Sequence, residues 1–198
     1  MRKIIVGIAV VRAVMLLYTA VGHAADKPDF QGMTVTVDQI VTVTDQLNEH
    51  ESDAEMLANM AWNECRGVKA SRERAAVMWT VLNRVDDERW PDTIAEVITQ
   101  RNQFAYTGKP TLHNEADRAL YDEADRALYD ELLSLARDVL MRWLFEKQGV
   151  EDVGRVLPRE YVFFAGHGGH NWFRTKSGGR YWAFGLPDPY ETSEEVDG

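Results

Sequence analysis

The sequence predicts a mainly helical α+β domain that closes with a small C-terminal β-hairpin. Three observations carry this. Apolar residues recur at helical spacing from Ala54 to Trp143. Capping-type pairs, Ser52 with Glu55 and Thr93 with Glu96, stand where two of those stripes begin. After "KQGVEDVG" the composition turns to the aromatic runs "YVFF" and "RYWAF", which read as strands joined by the long loop "AGHGGHNWFRTKSGG".

The chain of 198 residues is long enough for one domain with a real core. A formal charge of −10 argues against nucleic acid or an anionic membrane as partner. No phosphate loop or dinucleotide fingerprint occurs.

Residues 1–24 have the form of an export signal or a releasable signal anchor: Arg2 and Lys3, the apolar runs "IIVGIAVV" and "AVMLLYTAVG", then the small residues of "GHAAD". Arg12 interrupts the apolar run, and a charge there costs a membrane span about 2.5–3.5 kcal/mol. Removing this segment takes away Arg2, Lys3 and Arg12 and no acid, so the charge moves from −10 to −13. The single cysteine, Cys65, excludes an internal disulfide and reads as a small buried hydrophobe.

Residues 25–50 contain "MTVTVDQIVTVTD", where Val35, Val37, Val41 and Val43 alternate with polar residues. That period of two predicts short strands or an extended arm. From Ser52, Ala54, Leu57, Met60 and Ala61 form one helical stripe, and Glu64 falls about 20° from its centre, on the last turn before Gly67. A second helix is expected from Ser71 to Val85 and a short one from Thr93, followed by the loop "QRNQFAYTGKP". "EADRALYD" occurs at 115–122 and again at 123–130. Eight residues turn a helix by a net ~80°, so the two copies cannot show one face to one core. The second copy leads into a long helix through Leu132, Leu135, Ala136, Val139, Leu140 and Trp143.

Glu64 is the chemical anomaly. A carboxylate directed inward at a helix end loses solvent, and desolvation disfavours a carboxylate's charged form, as a general acid near neutral pH requires. A Glu there can instead pair with Arg66 or Arg84. Gln103, Phe104 and Tyr106 offer an amide, a ring and a hydroxyl close together, as a sugar-binding loop would. His167 and His170, with His113, raise zinc binding as another class, but no helix carries a His-Glu-x-x-His pattern.

"MLANMAWNECRGV" and "AAVMWTVLNRVDDERWPDTIAEVITQRNQF" resemble the cell-wall hydrolase family of spore cortex-lytic enzymes and their bacterial and phage relatives. The resemblance covers roughly 54–186 and is strongest from 57 to 104. It implies a lysozyme-like domain over 51–187, preceded by the arm and followed by an acidic tail, 188–198. It also implies cleavage of the N-acetylmuramic acid to N-acetylglucosamine bond of peptidoglycan, with Glu64 as the acid. The sequence departs from the family pattern at Val68, where a second acid is usual, at Cys65 and at Ala105.

Relatives of the lytic transglycosylase type need only one carboxylate, which fits. Gln103, Phe104 and Tyr106 are expected to line the sugar groove with the hairpin opposite, and Asn83, His167 and Trp172 are further substrate-binding candidates. No cofactor or metal is implied. The expected partner is a peptidoglycan glycan strand, met by a monomer in the periplasm or cell envelope, with transient membrane contact through the N-terminal segment. A hydrolytic muramidase, a zinc amidase or endopeptidase, and a non-enzymatic wall-binding or virion component are the alternatives.

Overall fold

The computed structural model describes residues 33–105, 123–167, 170–177 and 181–182. The described elements run α1 (Val37–Glu49), α2 (Glu51–Cys65), α3 (Ser71–Val85), α4 (Ile94–Thr99), α5 (Glu123–Lys147), β1 (Phe163–His167), β2 (His170–Arg174) and β3 (Tyr181–Trp182). This is a mainly helical α+β fold with one small antiparallel sheet in the order β1-β2-β3. Among the described residues no helix is long and apolar enough to cross a membrane.

The expected extended arm is helical where it is described. Thr36 caps α1, its hydroxyl accepting from the Gln39 N–H at 3.2 Å while the Gln39 side chain accepts from the Thr36 N–H at 2.8 Å. This reciprocal capping box fixes the helix start. The valine alternation misled because the stripe that matters is Ile40, Val43 and Leu47, at helical spacing. Ile40 and Val43 are buried and Leu47 packs against the core, whereas Val37 and Val41 face solvent.

α2 starts directly after α1, at Glu51, with His50 between them. Ser52 is therefore inside the helix and not its cap, and His50 Nδ1 meets Asp53 Oδ2 at 2.6 Å. α3 has the expected bounds and is the central helix: every residue from Glu73 to Arg84 is buried. Leu57, Met60, Leu82, Leu132 and Leu140, all fully buried, interlock α2, α3 and α5. Each such side chain contributes about 1.5–3 kcal/mol by leaving water.

α4 begins as its sequence requires, with the Thr93 hydroxyl accepting from the Glu96 N–H at 3.2 Å. In the second repeat copy Tyr129 is buried and the rest is exposed or half-buried; the first copy lies outside the described residues. α5 ends in a Schellman turn: Val150 N–H donates to Phe145 O and Gly149 N–H to Glu146 O, both at 3.0 Å. Gly149 takes φ +76°, the left-handed conformation that this turn needs and that glycine adopts without strain.

The hairpin is tighter than the sequence implied. β1 and β2 pair from Phe163↔Arg174 to His167↔His170, so half of the expected long loop is itself strand. Within "RYWAF", Tyr181 and Trp182 form β3, on the far side of β2. Asn171 and Phe173 turn to the core, while His170, Trp172 and Arg174 alternate outward, as the period of a strand dictates.

Candidate active site

Glu64 stands half-buried on the last turn of α2, where the apolar stripe places it. Its Oε1 accepts the backbone N–H of Ala105. That bond ties the helix end to the loop after α4. Neither arginine considered from the sequence takes up the carboxylate. Arg66 lies over the Trp62 ring at 5.6 Å, and Arg84 is spent elsewhere.

Arg84 organises the wall beside Glu64. It is buried, and its guanidinium stands 4.1 Å from the Trp90 ring centre, 4.8 Å from Phe104 and 5.5 Å from Phe163. Nε donates to Val162 O at 2.7 Å and Nη1 to Gln103 Oε1 at 3.2 Å. Burial lowers its pKa to about 10. The aromatic faces and two acceptors offset that desolvation in part. Phe104 in turn packs against Phe164 of β1, ring centres 6.0 Å apart. The loop carrying Ala105 is thus clamped between α3 and the hairpin.

The structure brings Glu64, Gln103, Phe104 and β1 together. Gln103 is exposed, though its amide oxygen already serves Arg84. Trp172 is half-buried on the outward side of β2. His167 ends β1 opposite His170. Tyr106 and His113 lie outside the described residues. Asn83 is not placed to meet a sugar: it is 1% exposed, and its Nδ2 donates to Pro158 O at 2.8 Å and Tyr161 O at 2.9 Å while Oδ1 accepts from Arg155. Its role is to pin the segment leading into β1.

The acids that follow Glu64 most closely in the loop after α3 are engaged or exposed. Asp86 accepts from Trp143 Nε1 and from Lys147, and Asp87 is paired with Arg89 at 2.5 Å. Asp92 is exposed. Sequence reasoning passed over Glu73. It is 2% exposed on the first turn of α3, accepting the Asn171 N–H on Oε1 and facing His170 Nδ1 from Oε2 at 3.0 Å. The signal was available: Glu73 shares the inner face with Ala76, Val77 and Thr80, the same argument that singled out Glu64.

Cys65 lies among these groups. Burial pushes its thiol up to about 12; Arg74 pulls the other way, and Glu73 and Glu64 add to the rise. Both carboxylates therefore sit within electrostatic reach of one sulfur. A separate recess of about 700 Å³, lined by Glu146, Val150, Asp152, Arg155 and Arg159, lies at the far end of α5 and does not include Glu64. Among the described residues no group of three or more His, Cys, Asp or Glu side chains is arranged to hold a metal ion.

A helical scaffold that presents one half-buried carboxylate beneath an aromatic loop and a hairpin is a candidate acid–base site. Residues 69–151 match the family described as Cell Wall Hydrolase, a likeness that supports a peptidoglycan-degrading role. The matched segment spans α3, α4 and α5 and begins just after Glu64. Comparison with curated proteins and with solved structures returned no match.

Proposed function

We propose that this enzyme cleaves the glycan strand of peptidoglycan, at the bond from N-acetylmuramic acid to N-acetylglucosamine, with Glu64 as the acid. The observation that carries this reading is the Glu64–Ala105 contact. It holds a helix-end carboxylate in one orientation through Oε1, on the residue that follows Phe104. In the reaction Glu64 protonates the departing glycosidic oxygen as positive charge develops at the anomeric carbon. The ionised Glu64 then accepts the proton of the sugar's own C6 hydroxyl, which closes a 1,6-anhydro ring. Asp86 and Asp87 are engaged by Lys147 and Arg89, so neither stands ready as a second carboxylate, which supports the lytic transglycosylase route over a muramidase built on two carboxylates.

The fold reading that accompanies it is lysozyme-like, with Gln103, Phe104, Tyr106, His167 and Trp172 along the sugar groove. The protein acts as an exported monomer in the periplasm or envelope, without a cofactor. Mass spectrometry of fragments from purified peptidoglycan tests the reading, using residues 26–198 with and without Glu64→Gln. Anhydro-muropeptides from the parent, reduced by about 10²–10⁴-fold in the variant, are expected. Release of free stem peptides alone, or undiminished cleavage by the variant, overturns it.

A further inference from the structure

Glu73 is a buried carboxylate that the mechanism above does not use. Few side chains of its charge are buried at 2% exposure without a partner that needs them. Its partners both come from β2: the Asn171 backbone N–H and the imidazole of His170. The second bond acts on the ring. A carboxylate oxygen 3.0 Å from Nδ1 calls for the proton on that nitrogen, so the neutral ring presents its lone pair at Nε2. The His170 side chain is 70% exposed, so this nitrogen meets solvent while its orientation is fixed from below. A base held in one tautomer by a buried acid is the arrangement that makes an imidazole an efficient proton acceptor.

The pair is also in the right neighbourhood. The hairpin reaches the surroundings of Glu64 from two sides. On β1, Phe164 packs on Phe104, next to the Ala105 N–H that binds Glu64. On β2, His170 and Asn171 sit on Glu73, on the first turn of α3, which begins at Ser71 only a short turn after α2 ends at Cys65 beside Glu64.

We propose that His170, oriented by Glu73, is a second catalytic group that activates water, so that the enzyme hydrolyses glycan strands as well as closing anhydro rings. The proposal rests on glycan cleavage by Glu64. In this branch the C1–O4 bond breaks with its electron pair passing to O4, which takes the proton of Glu64. The water oxygen bonds to C1, and its proton passes to His170 Nε2. The products are a reducing N-acetylmuramic acid end and a free O4 hydroxyl, and solvent returns the proton from His170 to Glu64. Glu73 acts through His170 and is a positioning residue.

The test is the ratio of reducing to anhydro ends released from purified peptidoglycan by the parent, His170→Asn and Glu73→Gln. The asparagine amide can still donate to Glu73 in place of Nδ1, so the strand stays anchored while the Nε2 base is lost. His170→Asn is expected to lower the reducing fraction at least tenfold and leave anhydro products in place. Glu73→Gln should shift the ratio in the same direction. A parent that releases anhydro ends only, or a ratio unchanged in His170→Asn, overturns the proposal while leaving the Glu64 reading standing. Glycan cleavage that survives Glu64→Gln, or no glycan cleavage by the parent, overturns both.

Discussion

Replacing Asn83 by alanine separates a structural anchor from a sugar contact. The side chain makes three hydrogen bonds inside the protein: two from Nδ2 to the carbonyls of Pro158 and Tyr161, and one received by Oδ1 from the Arg155 guanidinium. Alanine removes all three and leaves two carbonyls and one guanidinium nitrogen short of a partner in a buried region. Neutral hydrogen bonds contribute about 0.5–1.5 kcal/mol each and those to charged groups about 1.5–3 kcal/mol, so the loss is about 3–5 kcal/mol. Whole domains are stable by about 5–15 kcal/mol, so this is a large fraction. For a chain of this length it lowers Tm by roughly 10 °C. Guanidinium chloride unfolding followed by tryptophan fluorescence measures it, with the slope m unchanged from the parent. An unfolding midpoint equal to that of the parent, together with weakened binding of glycan fragments, would refute the reasoning and return Asn83 to the substrate groove.

Arg84→Met keeps the buried stem but removes the bonds to Val162 and Gln103 and the stacking on Trp90 and Phe104. Hydrogen exchange at residues 103–105 should accelerate, and kcat should fall about tenfold, the cost of about 1.4 kcal/mol in placing Glu64. The Glu146 carboxyl is raised by burial but lowered more by its hydrogen bond and charge pairing with Arg155 and by Arg159, so it lies below the ordinary glutamate value. A depressed folded value means its stabilisation is present above the unfolded pKa of about 4.3 and is lost as pH falls through the folded value. Acid unfolding curves should therefore show Glu146→Gln converging on the parent at low pH and falling behind it near neutrality. Gly149→Ala meets no atom within 4 Å, so its cost is the left-handed backbone alone. Thermal melts should show about 1–2 kcal/mol of lost stability.

Much of the helical scaffold was legible because its signals are local. The α3 stripe and the Thr93–Glu96 cap lie within a few residues of the structure they specify. Glu64 was legible for the same reason, since seven residues from Leu57 return a side chain to the same face. The arm failed because a period of two over four valines competed with one capping box, Thr36 with Gln39, and the box decided. Ser52 failed as a cap because α1 delivers the chain to Glu51 already turning, which no pattern inside α2 reveals. Glu73 with His170, and Arg84 with Gln103, were out of reach as pairs. Their partners are separated by 97 and 19 positions, and only the docking of the hairpin and the loop on α3 brings them together.

Cys65 gives this protein a built-in reporter. A thiol whose pKa stands at about 12 holds on the order of one thiolate per 10⁵ molecules at pH 7, and the buried sulfur is shielded as well. Alkylating reagents can then reach it only when the end of α2 opens. The rate at which the native protein takes up such a label therefore counts openings of the turn beside Glu64. Because no other cysteine is present, the mass change has a single address. Substrate that closes over the site should slow that labelling, so a plain alkylation time course can register occupancy of the groove, in the parent and in the Glu64→Gln protein alike.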